Sequence, residues 1–152
     1  MELQYISDGE ETLRVFESAC AEMVSSKFIF ADKRIRDILR AVAGSRRLLS
    51  VFAHAAKPFD FDTEFDKAIS VEGGKKRIKL PDEPLACIAF VYSLFWEIDA
   101  KNIDVHKLLD EYYAAGQNVN DSYRNFNETV TAVFADYVKQ FFYDAQIPPL
   151  VF

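Results

Sequence analysis

The stretch Leu85–Ile98, LACIAFVYSLFWEI, decides the fold class because it is apolar on nearly every side of a helix. A helix at a protein surface carries one apolar stripe, whereas a helix that is apolar all round is surrounded by other structure. The strongly apolar part, Leu85–Trp96, has twelve residues, while a helix needs about 20 to cross a bilayer. The sequence therefore predicts a buried central helix over 85–98 and no membrane partner.

The composition of the chain fits a folded helical domain. Its 152 residues are 50% hydrophobic and 28% charged, which provides enough apolar surface to offset the entropy of ordering the chain. Only five glycines and five prolines are present, and this scarcity disfavours turn-rich β-sandwiches and barrels. We expect a single helical domain over 1–152, within which 1–57 and 82–146 could form sub-units joined by the connector and hairpin of 58–81.

Apolar residues recur at intervals of three and four along most of the chain, as they do on one face of a helix. This spacing predicts an all-α bundle of about six or seven helices around the central one. Gly44-Ser45 marks either a kink or a break in the second helical region. The expected capping residues are Asp62 or Thr63, Asp82 and Asp104. The expected helices cover about 8–26 or 10–26, 31–43, 46–57, 63–70, 82–98, 104–116 and 118–145.

One β signal interrupts the helices. Gly73-Gly74 separates two short segments, and the segment Arg77–Leu80 alternates between polar and apolar residues. A Gly-Gly pair supplies the positive φ angles that a two-residue hairpin turn needs. We therefore predict a small β-hairpin over 69–80 that leans on the helices, because two strands alone are only marginally stable.

The last helix carries the clearest apolar stripe, with steps of four, three, four, three and four residues. Such a stripe forms the seam of an antiparallel bundle or of a dimer. Its members are Val119, Tyr123, Phe126, Val130, Val133 and Tyr137, with Phe141 as an extension. Because Phe134, Phe141 and Phe142 cannot all lie on it, other helices, a second protomer or a ligand must cover a second apolar face. The aromatic candidates for a pocket or an interface are Tyr112, Phe126, Phe134, Phe141 and Phe142.

Two basic clusters are the strongest functional lead. The formal net charge is −6, yet residues 27–47 hold seven basic and two acidic residues. Basic side chains on one face bind carboxylate or phosphate groups of a partner. The first cluster shares one helical face if the helix continues through Gly44, and the second forms a finger on the predicted hairpin. The two clusters are Lys33, Arg36, Arg40 and Arg47, and Lys75, Lys76, Arg77 and Lys79.

Composition also limits the class of partner and the compartment. A net charge of −6 disfavours a nucleic-acid binder, whose domain is usually strongly basic. Neither a phosphate-binding loop nor an EF-hand spacing occurs in the sequence, so no cofactor is expected. Cys20 and Cys87 lie within apolar helical patterns, which predicts two free, buried thiols. Together with an N-terminus that lacks a secretory signal, they favour a cytoplasmic protein.

The two histidines raise the question of a metal site. His54 is followed after a turn by Asp60 and Asp62, and an imidazole with two carboxylates can bind a divalent metal if the three converge. His106 and Asp110 are four residues apart on one helical face, but two ligands do not make a site. We expect no metal, because a histidine at a helix end beside solvated acids is the commoner arrangement.

Three functions follow, in decreasing order of support. The first is a non-enzymatic cytoplasmic interaction or regulatory module that binds another protein, or a second copy through the helix 118–145. The second is a small-molecule binding domain with an aromatic-lined pocket between the C-terminal helices. The third is a metal-dependent hydrolase that uses His54, Asp60 and Asp62. No residue is assigned a catalytic role in the first two.

Overall fold

The computed structural model describes residues 9–149, which form helices joined by turns and one two-stranded sheet. The elements are α1 (Glu10–Ser25), a 3₁₀ turn (Phe28–Phe30), α2 (Ala31–Ala43), α3 (Arg46–Ala56), α4 (Phe61–Ala68), β1 (Ile69–Glu72), β2 (Lys75–Ile78), α5 (Pro84–Asp99), α6 (Val105–Tyr112), α7 (Val119–Phe126), a π-helical segment (Asn127–Thr131) and α8 (Ala132–Phe142). The prediction of an all-α bundle with one small hairpin is confirmed. Asp8, the earlier of the two expected helix starts, lies outside the described residues.

Helix α5 lies at the centre of the bundle, as its sequence predicts. Helices α2, α3, α4 and α8 pack around it, and its residues Phe90 and Phe95 are fully buried. The N-terminal cap is Glu83 rather than the predicted Asp82, because the Glu83 carboxylate accepts hydrogen bonds from two first-turn amides, each at 3.1 Å. The hydrophobic core is continuous from α1 to α8 and includes most of the α5 residues between Cys87 and Ile98.

Gly44-Ser45 is a break rather than a kink. Helix α2 ends at Ala43, and Ser45 caps α3 by accepting a hydrogen bond from the amide of Leu48 at 3.1 Å. A serine at this position satisfies one of the amides that a helix start leaves without a partner. The helix therefore does not continue through Gly44, as a shared face for all four residues of the first basic cluster requires.

Two acidic residues cap the shorter helices. Asp60 caps α4 by accepting a hydrogen bond from the amide of Thr63 at 3.2 Å. The predicted cap, Asp62 or Thr63, is wrong because α4 begins two residues earlier than expected, at Phe61. Asp104 caps α6 as predicted.

The hairpin forms within the predicted range. Gly73 and Gly74 have φ angles of 58° and 79°, which suit a type I′ turn between twisted strands. Ile69 pairs with Ile78 at the base of the antiparallel ladder. The hairpin leans on α4 and α6, and Ile78 is buried there. The tip, residues 71–77, is exposed.

The last helix differs from the prediction in its phase, that is, in which of its residues face the core. Its π-helical segment has more residues per turn than an α-helix, so the buried positions beyond it fall one residue later than a regular seam requires. The shifted members are Phe134, Val138 and Phe142, in place of Val133, Tyr137 and Phe141. Asn127 and Thr131 of the segment are fully buried, and the Asn127 amide donates to the carbonyl of Met23 at 3.2 Å. The prediction of one unbroken seam is therefore wrong.

Candidate functional site

The first basic cluster lies on α2, where ion pairs neutralise most of its charge. Lys33 Nζ is 3.0 Å from Asp37 Oδ2, and Arg36 Nε is 3.2 Å from Asp99 Oδ1 on α5. Arg40 is exposed and forms no ion pair within residues 9–149. The α2 cluster thus offers a partner less free positive charge than its sequence indicates.

Arg47 does not share the face of α2, because the helix breaks before it. Its guanidinium instead caps the C-terminal end of α8, where Nε donates to the Phe142 carbonyl at 2.8 Å. Nη1 donates to the Ile147 carbonyl at 3.1 Å, beyond the end of the helix. Nη2 donates to the carbonyls of Phe141 and Asp144. Arg47 therefore satisfies carbonyls that a helix end leaves without partners, and its donors are already used inside the fold.

The second basic cluster, on the hairpin, divides between two faces. Lys76 points towards α6, where its Nζ is 2.9 Å from Glu111 Oε2, and this hydrogen bond raises the pKa of Lys76. Lys75, Arg77 and Lys79 occupy alternate positions and therefore lie on the opposite face. All three are exposed, and none forms an ion pair with any residue from 9 to 149.

These three residues, named here the basic row, are held by an extended backbone. The amide of Lys79 donates to the carbonyl of Ala68 at 2.8 Å, so the ladder continues one residue past β2. Alternate residues on a strand are about 6.6 to 6.8 Å apart along it. Glu72 stands opposite Lys75 in the strand register. Residues 70–80 together hold four basic residues and one acidic residue.

The candidate aromatics pack into the core. Phe126 and Phe134 are fully buried, and the Phe134 ring lies 5.7 Å from that of Phe16 and 5.6 Å from that of Phe95, between centroids. The remaining members, which lie in or against the same core, are Tyr112, Phe141 and Phe142. Rings thus fill the space where the sequence predicts an aromatic-lined pocket, and the phase shift in the last helix brings Phe134 and Phe142 to the core side.

The solvent side of the last helix is polar. From the start of α7 to the end of α8, the exposed residues are Asn120, Arg124, Glu128, Thr129, Asp136, Lys139 and Gln140. Interfaces between stable protomers usually have an apolar centre, which these side chains do not provide. A homodimer through 118–145 stays a prediction, without support from the exposed face of this helix.

The proposed metal ligands do not converge. Within residues 9–149, no group of three His, Cys, Asp or Glu side chains is placed to hold a metal ion. The Asp60 carboxylate is used as the α4 cap, and hydrogen bonds from Thr63 lower its pKa. His106 Nδ1 is 3.1 Å from Asp110 Oδ2, so the expected pair forms on the face of α6. The convergence that a hydrolase site of His54, Asp60 and Asp62 requires is absent from this part of the chain.

His54 borders a cleft that the sequence does not predict. The cleft, about 470 Å³, lies between the end of α3, the start of α5 and α4. Ala55 and Leu85 contribute apolar surface, and Lys57 and Glu83 lie at its rim. The break at Pro58 is visible in the sequence, but the approach of α5 to this break is a long-range contact that no local pattern shows.

The exposure of two apolar side chains is also not predicted by the sequence. Ile29, in the 3₁₀ turn, is 81% exposed, and Trp96, on the otherwise buried α5, is 49% exposed. Ile29 lies in the apolar run Phe28–Phe30, and Trp96 lies in the helix that the sequence predicts to be buried on all sides. Their exposure depends on how neighbouring helices pack, so only the structure reveals it.

The two cysteines are free and buried, as predicted. Burial raises the pKa of the Cys87 thiol to about 11 and raises that of Cys20 further. Because the thiolate is the reactive form, neither thiol is a nucleophile near neutral pH. Both side chains serve as small apolar groups in the core.

Comparison with known proteins gives no relative from which a function could be transferred. The chain shows no significant match to any protein-family model, curated protein or solved structure that was compared. Within the described residues, no helix has the length and apolar character that crossing a bilayer requires. The functional inference therefore depends on the side chains themselves.

Proposed function

We propose that this protein is a non-enzymatic cytoplasmic interaction module whose basic row binds an acidic segment of a partner protein. The observation that carries the proposal is the placement of Lys75, Arg77 and Lys79. They share one exposed face of the hairpin and form no ion pair with any other described residue. In the α2 cluster, by contrast, Lys33 and Arg36 are already paired.

The charge of the surroundings supports an acidic partner. The chain as a whole carries a formal charge of −6, while residues 70–80 carry four basic residues against one acidic residue. A positive region on a negative protein orients an acidic partner during approach and increases the association rate. Lys and Arg side chains then form charge-assisted hydrogen bonds with carboxylates.

The geometry of the row favours an extended segment. Carboxylates at alternate positions of an extended peptide repeat at about 6.6 to 6.8 Å, which is the spacing of the row. The residue that stands opposite Arg77 in the ladder is Ser70, so the centre of the row has a small polar neighbour on the same face. A segment with alternating Asp or Glu matches this spacing. The free thiols Cys20 and Cys87 support a reducing compartment such as the cytoplasm.

Quantitative affinity capture tests this proposal. The variant Lys75→Gln/Arg77→Gln/Lys79→Gln removes the row, and Arg14→Gln/Lys27→Gln/Lys107→Gln removes the same three charges from exposed positions elsewhere. Wild type and both variants are used as bait in an extract of the source cells at low salt. We expect a protein with an acidic segment that wild type and the control variant retain and the hairpin variant loses by at least about tenfold.

Two results would contradict the proposal. A partner that both variants lose equally would show that net charge, and not the row, governs binding. A partner that all three baits retain equally would place the interaction surface elsewhere on the protein.

A further inference from the structure

We propose that the cleft bordered by His54 binds a small organic monoanion with an apolar body, such as an aryl-substituted carboxylate. None of the residues of the basic row borders this cleft. This inference therefore does not depend on the function proposed for the basic row.

The size and lining of the cleft suit a small ligand. Its volume of about 470 Å³ lies within the range of about 300 to 1,000 Å³ that is typical of small-molecule sites. Ala55 is buried at its base, and Phe59 and Leu85 are half-buried on its walls. An aromatic or branched aliphatic body can therefore be removed from water on several sides.

The acidic side chains of the cleft already have partners. Both oxygens of the Glu83 carboxylate accept hydrogen bonds from backbone amides at the start of α5, each at 3.1 Å. Glu64 Oε2 is 3.5 Å from Lys67 Nζ, in an ion pair on α4. Each carboxylate is thus already engaged by donors of the fold.

The basic side chains of the cleft are uncommitted. His54 and Lys57 form no hydrogen bond or ion pair through their side chains within residues 9–149. They are three residues apart in and just after the last turn of α3, which places them on one side. The carbonyls of a helix C-terminus favour positive charge at such positions. The pair therefore presents donors at the rim of an apolar cleft, which is the arrangement that a carboxylate with an apolar body requires.

Three ligands that differ only in the polar end separate the contributions of charge and of the apolar body. 4-Phenylbutyrate, 4-phenylbutanol and 4-phenylbutylamine are titrated, each to on the order of 10 mM, into ¹⁵N-labelled protein, since ligands of this size bind with roughly millimolar Kd. We expect amide shifts confined to the end of α3, α4 and the start of α5. We also expect the anion to bind about three- to tenfold more tightly than the alcohol, and the amine most weakly.

A matched pair of variants assigns the charge effect. Lys57→Gln should reduce the anion-to-alcohol affinity ratio to near one, whereas Lys107→Gln, an exposed lysine on α6, should leave the ratio unchanged. The ratio is measured within each variant, so a small change in stability cancels. Tighter binding of the amine, equal binding of all three ligands, shifts centred elsewhere or the absence of binding would each overturn the inference.

Discussion

At the scale of single residues, Arg47 has a structural role. Its four hydrogen bonds reach carbonyls between Phe141 and Ile147, about a hundred positions away in the chain. No local pattern distinguishes such an arginine from one that binds a partner, because the carbonyls that it satisfies come from the far end of the sequence. The same reason hides the ion pairs of Arg36 with Asp99 and of Lys76 with Glu111.

Replacing Arg47 should therefore destabilise the fold. We expect Arg47→Met to lower the free energy of unfolding by about 2 to 3 kcal/mol, because it leaves several helix-end carbonyls without their charged donor. Urea unfolding measures this loss, and amide exchange should show the segment 141–147 opening first. Arg40→Met, at an exposed arginine without an ion pair in the described chain, should cost less than about 0.5 kcal/mol. Equal effects of the two changes would contradict the capping role.

At the scale of elements, sequence patterns predict the type of most segments but not their phase. The apolar residues on all sides of α5 and the Gly-Gly pair are local signals. The central helix and the hairpin that they predict are both confirmed. The π-helical segment has no comparable signal, since Asn127–Thr131 reads as ordinary helix. Its buried residues, Asn127 and Thr131, are hydrogen-bonded to each other at 2.9 Å and Asn127 is bonded to the end of α1. Tertiary contact thus decides which residues of α8 face the core.

Deleting one residue from this segment tests the phase shift. A π-turn corresponds to one extra residue in an α-helix, so deletion of the exposed Glu128 should give a continuous helix that keeps Phe134, Val138 and Phe142 in the core. We expect a loss of no more than about 2 kcal/mol, mainly from rearranged hydrogen bonds of Asn127. The measurement is urea unfolding together with the near-ultraviolet circular dichroism of the packed aromatics.

The matched control is deletion of the exposed Asp136 within α8. This deletion turns the following residues by about 100° and moves Val138 and Phe142 from the core side, which should cost more than about 3 kcal/mol. Similar stability of the two deletion variants would contradict the π-helical phase shift.

At the scale of the whole molecule, buried ionisable side chains make stability fall in alkali. Burial raises the pKa of Cys20, Cys87 and Tyr113 in the folded protein. The pKa of Cys87 is 9.0 in the unfolded chain and about 11 in the folded protein. The contribution of Cys87 to the free energy of unfolding is therefore fully present below pH 9.0 and is lost as the pH rises to about 11. The unfolded chain binds fewer protons over this range, so unfolding becomes easier as the pH increases.

Urea unfolding between pH 7 and 11, under reducing conditions, measures this dependence. Between pH 9 and 11, we expect Cys87→Ala to reduce the downward slope of the unfolding free energy by up to about 1.4 kcal/mol per pH unit. A cavity from the substitution changes the whole curve by a constant and leaves the slope unaffected. Stability that does not change across this range would contradict the burial of these groups.

The arrangement of charge over the whole surface makes the hairpin the stronger candidate of the two basic clusters for binding a partner. In the first basic cluster, Lys33 and Arg36 are paired and Arg47 is used inside the fold, whereas the basic row on the hairpin keeps its charge exposed on an acidic protein. Sequence reasoning could identify both clusters from composition. It could not rank them, because the pairing partners lie on other elements.

The dissociation constant of the captured acidic segment, measured at low and at physiological salt, tests the proposed binding role of the hairpin most directly. We expect loss of the basic row to weaken binding by about 10- to 50-fold at low salt, because three exposed charge contacts contribute about 0.5 to 0.8 kcal/mol each. The difference should shrink at higher salt, where exposed charges are screened. The control variant at Arg14, Lys27 and Lys107 should bind like wild type, and an equal Kd for hairpin variant and wild type would contradict the account.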